Sequence, residues 1–397
     1  MRWKFGRGVK REWVQGPGGL LGVCVGTYFT VRFAQVVIGP IVPVLKTDLG
    51  ITAGTVGILL TLMWMAYAIM QIPSGMLSDH FGPTQVVLAA ILITGIATLV
   101  LSLAPTPVIF GFAVLALGAG AGTYYNPATA LLASTFDQVG GAVGTHRIGG
   151  QVAGVIAPIV AAAISDRLGW RVAVAFAGIV TIVMSAAFTL WRSASAVRLA
   201  GTTARTSLSV RSALSILNRR HTRETTLMMT AVEFVGLSAM AFLPAFLMVH
   251  HGLSFTTANL LFAAFFAMSA IFQPLSGWGS DRFGRDVMLL ILAAMGILGY
   301  TGLVITDSLW VVPAVLLTGI AMSATPVVQS RMIDGLPASV RATGFGVFRT
   351  IYLLIGATGS TAVGLTADVA SWGLAFSGLA MVWGAVLVLT SFRLVRP

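Results

Sequence analysis

Twelve apolar stretches, each about 20 residues long, constrain this sequence more than any other feature. A helix of that length crosses the ~30 Å hydrocarbon layer of a bilayer, and a closed β-barrel is the other structure that can do so. Barrel strands would appear as ~10-residue segments of alternating polarity, and the sequence contains none. We therefore predict an all-α membrane protein with spans over residues 19–45, 54–76, 84–104, 107–133, 143–165, 170–191, 226–249, 255–277, 287–305, 309–330, 343–366 and 371–392.

Composition excludes the other broad classes of protein. Only 9% of the 397 residues are charged and 57% are hydrophobic, whereas about a quarter of a soluble chain is charged. A soluble enzyme and a disordered chain are both excluded by this balance. The single cysteine, Cys24, permits neither an internal disulfide nor a cysteine metal cluster. His250 and His251 have no further ligands at metal-binding spacing, so no metal and no other cofactor is predicted.

The net charge of +12 is interpreted as a topology signal. Of the 24 basic residues, 18 fall on one side of the predicted bundle and three on the other. Loops rich in lysine and arginine remain in the cytoplasm. We therefore expect a multi-pass protein of the cytoplasmic (inner) membrane, with both termini in the cytoplasm and no nucleic-acid partner.

The chain contains an internal repeat with a constant offset of 202 residues. Residues 71–82 read QIPSGMLSDHFG and residues 273–284 read QPLSGWGSDRFG, with seven of the twelve positions identical. The same offset relates Arg147 to Arg349 and Asp166 to Asp368. It predicts two pseudo-symmetric six-helix halves, over 19–191 and 226–392. They are joined by a basic cytoplasmic linker over 192–225 and flanked by cytoplasmic tails over 1–18 and 393–397.

The repeated loops resemble the signature of the major facilitator superfamily, Gly-x-Leu-x-Asp-Arg-x-Gly-Arg-Arg/Lys. The matching residues are Gly75, Leu77, Asp79 and Gly82 in the first copy, and Gly277, Asp281, Arg282, Gly284 and Arg285 in the second. The first copy departs from the pattern at His80, Pro83 and Thr84. The resemblance covers the whole chain. It implies the family's twelve-helix fold and secondary transport by rocker-switch alternating access.

The resemblance also implies a gate at these loops, where the two aspartates lock the halves in an outward-open state. The simpler alternative is that each aspartate anchors its own loop at a helix end. The candidate gating residues are Asp79, Gly82, Asp281, Arg282, Gly284 and Arg285, together with Arg147.

Charged residues within the spans are the candidates for the substrate site, because each costs about 2.5–3.5 kcal/mol to insert. Arg32 lies at the midpoint of the first span and shares one helix face with Tyr28 and Gln35. We predict that these three bind substrate. Alternatively, Arg32 snorkels or bonds neighbouring carbonyl groups. Glu233, in the seventh span, is the candidate carrier of a coupling proton, with a static buried pair with Arg32 as the alternative.

Arg147 and Arg349 occupy equivalent positions in the fifth and eleventh spans. They either attract an anion or bond neighbouring carbonyl groups and brace the gate. We assign Arg147 to the gate, and Arg349 with its neighbour Tyr352 to the substrate site. Tyr124 and Asn126 of the fourth span are added as further candidate substrate contacts, with packing as the alternative interpretation.

The sequence therefore predicts a transporter of a small solute, with an organic anion favoured, and not an enzyme. Coupling to protons is left open, and the lipid bilayer and the solute are the expected partners of a functional monomer. A drug or neutral-solute exporter of the same superfamily is the alternative. Against a drug exporter, Val114 stands where such proteins carry an arginine, and Gly154 is not followed by proline. A membrane enzyme or sensor is the alternative from a different class. ATP-driven pumping is excluded by the lack of a phosphate-binding loop motif.

Overall fold

The computed structural model describes residues 16–194, 220–306, 308–336 and 341–395. Every regular element within these ranges is a helix. Eleven segments are long and apolar enough to cross a membrane. A twelfth consists of two helices, Ala53–Ile69 and Gln71–Phe81, that meet at a bend of 42°. The predicted all-α membrane fold with twelve spans is therefore confirmed.

The helices follow one another with short connections. In chain order they are Pro17–Val36 and Ile38–Leu49 (first span), Ala53–Ile69 and Gln71–Phe81 (second), Pro83–Ser102, Pro107–Ala133, Val139–Leu168, Trp170–Ala194, Arg220–His251, Phe255–Phe283, Arg285–Ile305, Val311–Ala321 and Ala324–Asp334 (tenth), Arg341–Gly356 and Thr358–Val369 (eleventh), and Trp372–Val395. A short 3-10 turn, Ser308–Trp310, precedes the tenth span.

The 202-residue repeat is visible in the local geometry of the turns. The Thr52 hydroxyl accepts a hydrogen bond from Thr55 N at the start of the second span, and Ser254 does the same for Thr257 N at the start of the eighth. Side-chain caps of this kind satisfy amides that a helix leaves unpaired at its first turn. Gly82 and Gly284, which end the second and eighth spans, have φ of +83° and +94°. Residues with a Cβ rarely adopt this conformation, so the repeated turn favours glycine.

The sixth span ends at Ala194 and the seventh begins at Arg220, six residues before its predicted start. Most of the predicted linker lies outside the described residues, as do most of the N-terminal tail and residues 396–397. The end of the bundle where residues 195–219 join the halves is called the linker end below. Since the number of spans is even, both ends of the described chain also lie at the linker end.

The two halves meet most closely at the end opposite the linker. There Gly57 of the second span packs on the Ser360 backbone of the eleventh, where a Cβ would overlap the carbonyl group. Further along the same two spans, the Thr61 hydroxyl donates to Ala357 O at 2.8 Å and bonds the Thr361 hydroxyl at 2.7 Å. Small residues allow membrane helices to approach this closely. This contact closes the bundle at the end opposite the linker.

Candidate functional site

A cavity lies between the two halves, near the middle of the bundle. Its main lobe has a volume of about 810 Å³. Two further lobes, of about 580 Å³ and 340 Å³, share lining residues with the main lobe, so we treat the three as one central cavity. The residues that line the main lobe are Tyr28, Arg32, Trp64, Tyr67, Arg147, Gly150, Gln151, Glu233, Leu237, Phe266, Gln273, Thr325, Gln329, Arg349, Tyr352 and Leu353.

The four charged residues that the sequence places inside the spans all line this cavity. They are Arg32, Arg147, Glu233 and Arg349, and no other charged residue lines any of the three lobes as far as the described chain shows them. Three positive charges and one negative charge give the lining a net charge of +2 when Glu233 is ionised. A lining of this kind attracts anions.

Arg32 is held at the membrane centre by uncharged groups. Its Nη1 donates to Gln35 Oε1 at 3.0 Å, and Nη2 approaches Met240 Sδ at 3.9 Å. The guanidinium also lies over the Trp64 ring, 5.4 Å from its centroid. Gln35 is buried and does not line the cavity, so it supports Arg32 from behind. The positive charge of Arg32 is therefore positioned without being neutralised.

Arg349 connects the two halves across the cavity. From the eleventh span, its Nη2 donates to Tyr67 Oη of the second span at 3.1 Å. Its guanidinium lies 4.4 Å from the centroid of the Tyr125 ring, also in the N-terminal half. Tyr352 lines the cavity one turn away. Arg349, too, has aromatic and hydroxyl partners in place of a carboxylate.

Arg147 has no hydrogen-bond or ion-pair partner among the described residues. The brace to neighbouring carbonyl groups, considered from the sequence, is thus not formed within the described part of the chain. Several arginines away from the cavity do pair with acids. These pairs are Arg171 with Asp48, Arg285 with Asp334, Arg331 with Asp286, and Arg393 with Glu224. Unlike these four, the three arginines of the cavity have no carboxylate partner among the described residues.

Glu233 faces the same cavity as Arg32 from the opposite half, and lines both of the larger lobes. Within the described ranges it has no ion-pair partner, so the two residues are not directly paired. Arg349, Arg32 and Arg147 all act on it electrostatically, Arg349 most strongly.

Tyr28 lines the cavity, whereas Tyr124 lies behind it. The two rings stack with centroids 5.9 Å apart and an interplanar angle of 9°. Tyr124 is completely buried, and its hydroxyl bonds the Thr27 hydroxyl at 2.6 Å, Cys24 O at 3.0 Å and His146 Nε2 at 3.0 Å. Tyr124 thus packs within the N-terminal half and supports Tyr28, and it does not line the cavity.

Asn126 is also used inside the N-terminal half. Its amide Nδ2 donates to Gln71 O at 2.6 Å and to Ser74 Oγ at 3.2 Å. Both partners follow the bend of the second span at residue 70, where the first helix of that span ends and the second begins. Asn126 lines none of the three lobes and stabilises the bend.

Sequence reasoning missed several lining residues. The glutamines carry a signal, because a polar side chain in an apolar span usually faces protein, and Gln151 lies one turn from Arg147. Gln151 Nε2 donates to Gln273 Oε1 across the halves at 3.1 Å. The aromatic residues carry no such signal, because rings in a span also face lipid. The missed residues include Trp64, Tyr67, Gln151, Gln273 and Gln329.

Among the residues that the structure describes, no hydrogen bond or ion pair of the signature loops joins the halves. Asp79 has no partner among the described residues. Asp281 lies 3.5 Å from Arg285, which also pairs with Asp334 at 2.5 Å, and all three belong to the C-terminal half. Arg282 lies over the Trp278 ring, 5.7 Å from its centroid. The described ion pairs and ring contacts of these loops therefore lie within one half of the protein.

Asp368 closes the end opposite the linker. Its carboxylate oxygens accept hydrogen bonds from Ala53 N at 3.0 Å and Gly54 N at 2.6 Å, at the start of the second span. A carboxylate is favoured there because the first turn of a helix offers unpaired amides and a positive dipole end. Its repeat counterpart, Asp166, has no described partner. We call the hydrogen bonds of Asp368 to Ala53 N and Gly54 N the Asp368 latch. Among the described residues, it has no counterpart at Asp166 in the other half.

Comparison with known proteins identifies the family. The sequence model of the Major Facilitator Superfamily matches residues 24–239 and 225–397. The chain belongs to the major facilitator superfamily. It is thus a multi-pass membrane protein of a family of transporters and not of enzymes.

A curated relative in this superfamily is the "Probable sulfoacetate transporter SauU" of Cupriavidus necator (strain ATCC 17699 / DSM 428 / KCTC 22496 / NCIMB 10442 / H16 / Stanier 337). The two are 30% identical over 165 residues, which make up 41% of this chain and 38% of the relative. The chain therefore matches well under half of that relative's length.

Solved structures of other transporters share the fold. The nucleoside transporter NupG aligns with a TM-score of 0.77 at 14% identity, over 96% of this chain and 98% of that one. A bacterial homologue of the human lysosomal transporter Spinster, in an inward-facing conformation, gives 0.74 at 19% identity over 95% of both chains. A D-xylose-proton symporter gives 0.76 at 16% identity, over 94% of this chain and 96% of that one. These likenesses confirm the superfamily fold.

The Asp368 latch predicts a shift in conformation when it is removed. Asp368→Ala deletes two hydrogen bonds of a solvent-exposed carboxylate, together worth about 1 kcal/mol after screening by solvent, and so favours opening at the end opposite the linker. In a Cys24→Ala background, a cysteine at Thr325, which lines the cavity, reports this opening. A membrane-impermeant thiol reagent applied from that end should label it several-fold to about tenfold faster.

Asp166→Ala is the matched control, because it removes the equivalent aspartate where no contact is described. It should leave the labelling rate unchanged. The reference is the Cys24→Ala protein with a cysteine at Thr325 that retains Asp368. If it and the Asp368→Ala variant were labelled at the same rate, Asp368 would not hold this end closed.

Proposed function

We propose that this transporter is a secondary carrier that moves a small organic anion across the cytoplasmic membrane by rocker-switch alternating access. The observation that supports it is the cavity lining, in which three arginines have no carboxylate partner among the described residues. Burying an unpaired charge is costly, and such a charge inside a membrane protein usually serves an ion or substrate. A bound anion supplies the missing partner.

In this proposal Arg32 binds an anionic group of the substrate. Its planar guanidinium offers two parallel N–H donors that match a carboxylate or a sulfonate. Gln35 fixes the orientation of Arg32 through the 3.0 Å hydrogen bond. Tyr28, Arg349 and Tyr352 complete the binding site from the cavity wall. Tyr124 and Asn126 are left out of the site, because their described contacts are with their own half.

The similarity to the sulfoacetate transporter relative supports an anionic substrate. Sulfoacetate carries a sulfonate and a carboxylate, and both of these anionic groups accept hydrogen bonds from a guanidinium ion. The alternative, an exporter of drugs or neutral solutes, has less support, because a lining of net charge +2 repels cationic drugs and leaves its arginines unpaired around a neutral solute.

We further propose that Glu233 carries a proton that couples transport to the proton gradient. It shares two lobes of the cavity with Arg32, so an ionised Glu233 opposes the entry of an anion there. A protonated Glu233 removes that repulsion. Binding of the anion and binding of the proton are thereby linked, and the linkage is reciprocal.

The remaining elements of the proposal concern topology, assembly and the gate. The basic linker end faces the cytoplasm, so both termini do as well, following the positive-inside rule. One chain contains the whole cavity, so a monomer suffices. The signature loops, with Asp79, Asp281 and their neighbours, close the linker end in the other conformation. Arg147 is the exception among the expected gating residues, because it lines the cavity.

Replacing Arg32 should impair binding of the anion. Arg32→Lys keeps the charge but loses the planar fork, so the affinity should fall by about tenfold, and Arg32→Ala should lower it further. The measurement is counterflow of radiolabelled sulfoacetate in proteoliposomes containing equal amounts of folded protein. Arg167→Ala, at an exposed site on the fifth span, serves as the control. Unchanged affinity in Arg32→Ala would end the assignment of Arg32 to the anion.

Replacing Glu233 should separate coupling from exchange. Glu233→Gln mimics the protonated form permanently, so accumulation driven by a pH gradient should be lost. Exchange of labelled for unlabelled anion should continue, because exchange requires no net proton movement. Both rates are measured in the same proteoliposomes. Retention of pH-driven accumulation would show that the coupling proton is not carried by Glu233.

A further inference from the structure

The smallest lobe of the cavity has an unusual lining. Its volume is about 340 Å³, and it is lined by Tyr28, Tyr125, Arg147, Gln329, Phe345 and Arg349. Two of these six residues are arginines, and none is acidic. Glu233 lines the other two lobes but not this one. The lobe is therefore lined by two positive charges and by no carboxylate.

The two arginines of this lobe have different surroundings, although the repeat makes them equivalent. Arg349 is fixed by Tyr67 Oη and by the Tyr125 ring. Arg147 has no hydrogen-bond or ion-pair partner among the described residues, so its donors remain unused there. An arginine that is free to bond, beside one that is rigidly held, leaves the lobe able to bind an anionic group.

We propose that Arg147 and Arg349 form a second anion-binding subsite, and that the substrate is therefore a small dianion. One anionic group binds between these two arginines, and the other binds Arg32 in the larger lobes. This inference rests on the proposed function and specifies the substrate class of the same cavity. Arg147 thereby becomes a substrate-binding residue, where the sequence assigned it to the gate.

The distribution of charge favours this division. The small lobe carries two positive charges without an acid, whereas the larger lobe of about 580 Å³ carries Arg32 together with Glu233. An anionic group in the small lobe is therefore surrounded by lining residues that include two arginines and no acid. A monoanion can fill one subsite, and only a dianion can fill both.

Tyr28 links the two subsites structurally. It lines both the main lobe and the small lobe, with Tyr124 and His146 packed behind its ring. A dianion with its charges separated by a short chain can span from Arg32 to Arg147 along this ring. Sulfoacetate and short dicarboxylates have this shape.

The test compares two ligands that differ in a single charge. Sulfoacetate is a dianion, and its carboxyl methyl ester has nearly the same skeleton with the sulfonate charge alone. Purified wild-type protein, measured by calorimetry, should bind the sulfoacetate dianion at least about tenfold more tightly than the methyl ester. In Arg147→Gln this preference should be lost through weaker binding of sulfoacetate, while the affinity for the ester changes less than about twofold.

Two further variants control the measurement. Arg167→Gln removes an exposed arginine from the same span and should preserve the preference for the dianion. Arg147→Lys keeps the charge, so it should retain part of that preference even if Arg147→Gln does not fold. Thermal unfolding without ligand shows which variants are folded.

The outcomes separate this inference from the proposed function. Equal wild-type affinities for sulfoacetate and its ester would overturn the second subsite while leaving a carrier of anions in place. The same loss of affinity for both ligands in Arg147→Gln would also overturn it. If wild-type protein binds the ester but not sulfoacetate or succinate, the dianion is excluded. If it binds no carboxylate or sulfonate at all, the proposed function itself fails.

Discussion

The arrangement of this protein depends on keeping positive charge in the membrane interior without a carboxylate to neutralise it. Arg32 and Arg349 are held by an amide, a thioether, a hydroxyl group and aromatic faces. These partners supply orientation, and cation–π contacts of this kind are worth about 0.5–2 kcal/mol. None of them removes the charge. The contacts therefore offset part of the desolvation cost in advance, and a bound anion offsets more of it.

The two repeats share their helix caps and turns, but several functional side chains differ between the two halves. The helix caps at Thr52 and Ser254 and the turns at Gly82 and Gly284 recur at the same offset. Among the charged residues of the cavity, only Arg147 and Arg349 recur at this offset. Arg32 has no arginine counterpart, since the equivalent position is Phe234.

The same asymmetry appears at both ends of the bundle. Asp368 bonds the second span, whereas Asp166 has no described partner. The ion pair of Arg285 with Asp334 lies at the linker end of the C-terminal half, and the equivalent first-half positions are Pro83 and Leu132. The repeated frame thus carries different contacts at equivalent positions of its two halves.

The fold was predictable from sequence, because the membrane requires long apolar helices and the repeat supplies the pairing of the halves. The four charged lining residues were also predictable, since a charge within a span is rare and costly. The rotation of each helix about its axis could not be predicted from the sequence. For that reason Trp64 and Tyr67 were missed, and Tyr124 was placed in the site. The seventh helix begins before its predicted span, at Arg220, because hydropathy marks only the part of a helix that lies in lipid.

The most direct test of the central claim is whether ligand charge decides binding to the unaltered protein. Thermal unfolding of the purified wild-type chain can be followed with small carboxylates and sulfonates, each beside its neutral amide of nearly the same shape. A ligand that binds the folded state raises the unfolding temperature. The account predicts that acids raise it, dianions most, and that the matching amides do not. Equal or greater stabilisation by the neutral amides would contradict the claim that the arginine cavity selects anions.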